Sequence, residues 1–244
     1  MKTIAVIPAR YGSTRFPAKP LALICGKPMI QWTYESTVAC PDFDEVIVAT
    51  DDQRIADAVA AFGGKAVMTS VECRTVTDRI WEAIQAVEGD LIVNVQGDEP
   101  LIAAEVLHEL VVKMRESGAD MGTVAVPFSV AGRDPADPNA VKVVLDNNNM
   151  ALYFSRACIP YLREGGEPCG ALLHWGLYAY TRDFLNRFVG WETGRLEASE
   201  KLEQLRALEN GAHIGVIVTD KRTVGVDAPE DIAQVEAMIR ERNA

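Results

Sequence analysis

Thr3-Ile4-Ala5-Val6-Ile7-Pro8-Ala9-Arg10 opens the chain with an unbroken, largely β-branched apolar run that turns abruptly polar. A run without polar alternation reads as a strand buried on both faces, and a cation-bearing loop at its carboxyl end is where an open α/β sheet keeps its ligand. The pattern repeats at Glu45-Val46-Ile47-Val48-Ala49-Thr50 and Leu91-Ile92-Val93-Asn94-Val95, with a shorter run at Ala66-Val67-Met68. Amphipathic stretches at 28–39, 53–62, 77–87 and 103–117 separate them. Short strands alternating with helices of ten or more residues predict βαβ units, a mostly parallel sheet and a three-layer α/β sandwich.

The second half reads as more mixed. Strands are predicted at 122–126, 141–145, 152–154, 176–180 and 214–218, and helices at 182–189, 198–210 and 229–240. The Pro/Gly-rich polar stretches 131–139 and 163–170 read as loops. No internal repeat is visible, so residues 1–244 are expected to form one domain with a secondary lobe around 127–195.

A chain of 244 residues, 48% hydrophobic and 24% charged, can bury a substantial core. Its net charge of −11 argues against a general nucleic-acid binder, which needs a basic surface. No apolar run has the length of a membrane span, and the first residues lack a signal peptide's apolar core, so a cytoplasmic location is expected. Five scattered cysteines without a Cys-x-x-Cys suggest neither a disulfide framework nor a zinc site. The charge is unevenly placed: Lys2, Arg10, Arg15, Lys19 and Lys27 all precede the first acidic residue, Glu35. A local anion site can form there, although chance clustering on a solvated loop would look the same.

The loop Pro8-Ala9-Arg10-Tyr11-Gly12-Ser13-Thr14-Arg15-Phe16-Pro17-Ala18-Lys19-Pro20 combines glycine, hydroxyls and three cations. Backbone N–H groups near Gly12 can approach phosphates, while Arg10, Arg15 and Lys19 offset their charge. Neither a P-loop nor a Gly-x-Gly-x-x-Gly fingerprint is present, which weakens generic NTPase and dehydrogenase readings. The third long strand runs into Gln96-Gly97-Asp98-Glu99-Pro100. Asp98 at that strand end is placed to hold Mg²⁺ beside phosphates, since this hard ion takes carboxylate and phosphate oxygens; a Gly-Asp turn alone is usually structural. Val226-Asp227-Ala228-Pro229 leads into the last predicted helix, where Asp227 is either an N-cap, a metal ligand, or both.

Taken in order, Pro8-Ala9-Arg10-x-Gly-Ser-Thr-Arg15, Lys19-Pro20, Gly26-Lys27-Pro28-Met29-Ile30, Ala49-Thr50-Asp51, Asn94 to Pro100, Ala151-Leu152-Tyr153-Phe154-Ser155-Arg156, Leu202-Glu203-Gln204-Leu205-Arg206 and Gly225-Val226-Asp227 resemble the 3-deoxy-manno-octulosonate (Kdo) cytidylyltransferase family, also called CMP-Kdo synthetases. The resemblance runs from Met1 to about Ala237. It implies a nucleotide-diphospho-sugar transferase (glycosyltransferase-A-like) fold, a CTP donor, Mg²⁺, a homodimer and a place in lipopolysaccharide biosynthesis. It implies that Arg10, Arg15 and Lys19 contact the triphosphate and act in catalysis with Asp98. Pro8, Ala9, Thr75, Thr77 and Gln96 would join the nucleotide site, Asp98 and Asp227 would hold the metal, and Gln96, Arg156, His174, Tyr178, Glu203 and Gln204 would line the acceptor pocket.

Read without the resemblance, His174 is a strand-edge histidine with a satisfied hydrogen bond. The 197–209 segment is then a solvated amphipathic helix with i,i+3 and i,i+4 charge pairs.

One block departs from the pattern. Where the family carries His-x-Ser-Gly-Thr-Asp/Glu-Arg, this chain has Cys73-Arg74-Thr75-Val76-Thr77-Asp78-Arg79. A β-branched valine resists positive φ and adds bulk where glycine would admit a ligand. The reaction type is therefore expected to hold while the acceptor is open: Kdo, its 8-amino analogue, or a small phosphonate such as phosphonoformate. A nucleotide-sugar-dependent glycosyltransferase is the rival enzyme class, though Gly97-Asp98-Glu99 stands where an Asp-x-Asp motif would be expected. A non-catalytic nucleotide-binding protein is the other rival.

Overall fold

The computed structural model describes residues 1–12, 16–164, 172–221 and 224–242. The chain divides into two compact units, residues 1–108 with 223–244, and residues 109–222. The expected lobe at 127–195 lies inside the second unit, which is larger than that lobe.

In the first unit, β1 (Thr3–Ala9) leads through a 3₁₀ turn (Lys19–Leu21) and a small hairpin, β2 (Leu23–Ile24) and β3 (Lys27–Pro28), into α1 (Met29–Val38). Then follow β4 (Glu45–Thr50), α2 (Gln53–Ala61), β5 (Ala66–Met68), α3 (Val76–Ile84) and β6 (Leu91–Asn94). The strand order is β5-β4-β1-β6, all parallel, with Ile7 opposite Val48 and Val6 opposite Asn94. Successive residues Ile4, Ala5, Val6 and Ile7 are all fully buried. Alternate side chains of a strand point to opposite faces, so both faces of this sheet are covered and the layers number three.

The boundary between the units falls within α4 (Ala104–Ser117). The second unit continues with β7 (Met121–Pro127), α5 (Phe128–Ala131), β8 (Lys142–Leu145), β9 (Ala151–Ser155), β10 (Leu172–Thr181), α6 (Arg182–Val189), α7 (Arg195–Glu200), α8 (Gln204–Glu209) and β11 (Ile214–Val218). Here the order is β11-β7-β10-β8-β9, with only β11 and β7 parallel. The chain returns to the first unit with α9 (Asp231–Arg242).

Two expectations need correction. The helix expected over 198–210 is two helices, because Lys201 adopts a left-handed conformation at φ 54° and ends α7. That segment is no solvated surface either: Gln204, Leu205, Arg206 and Ala207 are buried. Ahead of the last helix, the Asp231 carboxylate accepts from the backbone N–H groups of Asp227 and Ala228, both at 2.8 Å. Most of the loop expected at 163–170 lies outside the described residues.

Candidate active site

The carboxyl ends of β1 and β6 lie side by side because the strands are parallel neighbours. Their close approach requires Gly97: a Cβ there would stand 2.8 Å from the Pro8 carbonyl oxygen. The turn after β6 is pinned by Glu99 N–H to Gln96 O at 3.1 Å and by the Thr33 hydroxyl to Gly97 O at 3.1 Å. Behind it, Ile24, Met29, Leu101, Val226, Val235 and Ile239 form one apolar cluster, which brings the 224–226 segment to the turn. Val226 N–H then donates to Asp98 O at 2.9 Å.

This arrangement sets Lys19 against Asp98. A left-handed Ala18, its N–H bonded to Tyr11 O at 3.0 Å, closes the loop and starts the 3₁₀ turn that carries Lys19. The Lys19 ammonium donates to Asp98 Oδ2 at 2.6 Å and to Val226 O at 2.8 Å. With side-chain exposures of 17% and 34%, the pair is partly screened, and such a pair orients more than it stabilises.

A cleft of about 380 Å³ opens here, lined along one wall by Pro8, Ala9, Arg10, Lys19, Gln96 and Asp98 from the ends of β1 and β6 and the 3₁₀ turn, and along a second by Cys73, Arg74, Thr75, Val76 and Arg79. The second wall is the start of α3, closed by a capping box: the Thr75 hydroxyl accepts from Asp78 N–H and the Asp78 carboxylate accepts from Thr75 N–H, both at 3.0 Å. Val76 is therefore the first residue of a right-handed helix, so no positive φ is needed, and its side chain is 42% exposed at the cleft. Arg79, only 6% exposed, spans to Asp51 Oδ2 at 2.6 Å and the Thr69 hydroxyl at 2.5 Å. The Cys73 thiol is pushed up to about 11, first by burial and then by its hydrogen bond to Glu82 Oε2 at 3.1 Å, so it stays protonated at neutral pH.

Of the nucleotide-site residues expected from sequence, Pro8, Ala9, Arg10, Lys19, Thr75, Gln96 and Asp98 meet in this cleft. Thr77 does not: it is buried in the first turn of α3 and absent from the lining. Arg15 lies outside the described residues. Asp227 is exposed, one residue beyond the Val226 carbonyl that Lys19 holds. Cys73, Arg74 and Arg79 were not anticipated as lining. A helical spacing of four from Thr75 was the available signal for Arg79, since such residues share a face.

The second unit gathers the residues expected for an acceptor. His174, on β10, is half-buried between neighbouring strands rather than at a strand edge, and its Nε2 lies 3.0 Å from the Thr123 hydroxyl. The carbonyls of Leu177 at 2.8 Å and Trp175 at 3.3 Å claim the hydroxyl's single proton, so the imidazole is the donor in this bond. Desolvation in this packed setting pulls the imidazole down to about 3, leaving it neutral at any physiological pH. Tyr178 donates to Gln204 Oε1 at 3.2 Å, and burial raises its phenol well above the usual range. Gln204 Nε2 is buried with no partner among the described residues, a donor pair whose desolvation is uncompensated.

Arg156 stands apart from that chain of contacts. It donates to the carbonyls of Glu200 at 2.7 Å, Pro138 at 2.9 Å and Lys201 at 3.5 Å, so it is anchored to the α7–α8 turn that precedes Glu203 and Gln204. Of a guanidinium's five donors, three are used among the described residues.

Comparison with known proteins agrees with this geometry. A family model described as cytidylyltransferase matches residues 4–215. The chain is 50% identical to the 3-deoxy-manno-octulosonate cytidylyltransferase of Desulfatibacillum aliphaticivorans, over 99% of this chain and 100% of the relative. It is also 50% identical to the protein of that name from Syntrophotalea carbinolica, over 98% and 99%. A solved structure described as CMP:2-keto-3-deoxy-manno-octonic acid synthetase complexed with CTP superposes with a TM-score of 0.93 at 42% identity, covering 99% of this chain and 100% of the other. A cleft of phosphate-compatible cations around an aspartate at a strand end, in a chain alike to these proteins along its whole length, places it in the 3-deoxy-manno-octulosonate cytidylyltransferase family of nucleotidyltransferases.

Proposed function

We propose that this chain transfers a cytidylyl group from CTP to a Kdo-type sugar acid, releasing pyrophosphate. The observation that carries the reading is Lys19, seated between Asp98 and the Val226 carbonyl in a cleft shared with Arg10 and Gln96. The anomeric hydroxyl of the acceptor attacks the α-phosphorus in line and pyrophosphate leaves, with no covalent enzyme intermediate. Such transfers depend on positioning and charge neutralisation. Arg10 and Lys19 supply positive charge along the phosphates, Gly97 lets the Asp98 turn close against Pro8, and the neutral His174, Tyr178 and Gln204 offer hydrogen bonds suited to a polyhydroxylated acid.

A divalent ion fits these residues. The Lys19 ammonium is a cation already held by carboxylate and carbonyl oxygens, the donor set a hard ion takes. Among the described residues no group of three or more His, Cys, Asp or Glu gathers, which suits Mg²⁺, since it is held by one or two carboxylates plus substrate phosphates. Asp98 and Asp227 are the residues that would hold it, and it would supply Lewis-acid stabilisation of the reacting phosphate. The enzyme is expected to act as a homodimer in the cytoplasm. No helix among the described residues is long and apolar enough to cross a membrane.

Magnesium-dependent pyrophosphate release from CTP tests the reading against Kdo, its 8-amino analogue, sialic acid and phosphonoformate. Release with Kdo is the expected result. Release with only another acid would reassign the acceptor and keep the chemistry, and no release with any would overturn the enzyme assignment.

A further inference from the structure

Four cations line the cleft: Arg10, Lys19, Arg74 and Arg79. Two already have an ion-pair partner, Lys19 in Asp98 and Arg79 in Asp51, each at 2.6 Å. Arg10 and Arg74 form no ion pair or hydrogen bond among the described residues, and both are exposed. The carboxylates around Arg74 are committed elsewhere. Asp78 accepts from Thr75 N–H; Glu82 accepts from Ser70 N–H at 2.8 Å and from the Cys73 thiol; Asp51 holds Arg79. Glu72, two residues back, does not pair with it.

In a chain of net charge −11, an arginine lining the cleft, with Asp51, Asp78 and Glu82 bonded to other groups, makes a local positive field. Arg10 provides the matching charge at the end of β1. The two come from different elements, one from the turn that opens α3 and one from just beyond β1, and both line the cleft.

We propose that Arg74 is a further nucleotide-binding residue, gripping the terminal phosphates of the nucleoside triphosphate from the α3 wall while Arg10 grips them from the β1 wall. The proposal rests on the cytidylyltransferase reading, and it adds a phosphate contact from a second element. Phosphate is the better partner than the base for physical reasons. The guanidinium fork matches phosphate oxygens bidentately, and only the phosphates carry the net charge that an unpaired cation offsets. Because Arg74 has no hydrogen-bond or ion-pair partner among the described residues, its replacement should leave the fold alone.

The test is equilibrium binding without acceptor, by calorimetry in Mg²⁺, of CTP and of CMP to the unaltered protein, Arg74→Gln and Arg10→Gln. Arg74→Gln should weaken CTP about tenfold, equivalent to about 1.4 kcal/mol. It should change CMP less than about twofold, lower the salt dependence of CTP binding and leave Tm unchanged. Arg74→Lys, which keeps the charge but not the fork, should recover part of the loss. CTP affinity unchanged in Arg74→Gln while Arg10→Gln weakens it would overturn the role of Arg74 and leave the enzyme reading standing. Equal losses for CMP and CTP would overturn the assignment to the terminal phosphates. An unaltered protein that binds no CTP would sink the cytidylyltransferase reading first, and this inference with it.

Discussion

Asp98 meets a lysine, a backbone segment near the carboxyl terminus and the end of β6 within a few bonds. Asp98→Asn keeps its shape and most of its hydrogen bonding but removes the charge. Turnover should fall by about 100-fold or more while the circular dichroism spectrum stays unchanged, as expected for a lost electrostatic contribution at the reacting phosphate. Pyrophosphate release checks it, and normal turnover would remove Asp98 from the mechanism. Cys73 yields a second outcome at this scale. Its protonated thiol should alkylate far more slowly with iodoacetamide at pH 8 than an ordinary exposed cysteine, read as adduct mass at Cys73 by peptide mapping. The residue types at this site were legible: cations after a first strand and an acid after a later one. The pairing of Lys19 with Asp98 was not, because it depends on contacts spanning 79 and 207 residues along the chain.

At the level of elements, the parallel unit followed directly from pattern. The strands expected at 45–50 and 66–68 are β4 and β5 with the same limits, since uniformly apolar runs leave little ambiguity about which segments are buried. The 198–210 helix failed for a physical reason. No glycine or proline marks Lys201, and what holds the break is long-range: the Glu200 carboxylate accepts from the Ser155 hydroxyl at 2.6 Å and from Arg156 N–H at 2.9 Å. Across the break, Arg206 binds Glu197 through two bonds of 2.7 and 2.6 Å, with exposures of 10% and 12%. Arg206→Ala strands a nearly buried carboxylate and should cost about 3–5 kcal/mol, measured as a fall in the urea midpoint. Thr75→Ala should cost about 1 kcal/mol through loss of the α3 cap, a Tm lower by about 2–4 °C.

For the molecule as a whole, acid stability is governed in part by one imidazole. His174 is held down to about 3 in the folded chain, whereas its ordinary value is 6.5. The unfolded chain therefore binds the extra proton as pH falls below about 6.5, and stability, complete above that pH, drains away between 6.5 and about 3. The urea midpoint should drop from pH 7.5 to pH 5.0 and drop less in His174→Gln; equal drops would exonerate the histidine. The pairing of Lys19 with Asp98 bears on something practical. Because a lysine already answers that carboxylate, the fold has no need of a metal to quiet a bare negative charge, unlike zinc fingers that collapse when stripped. The purified protein should keep its melting temperature in EDTA, store well without magnesium, and regain full turnover as soon as the ion is added back.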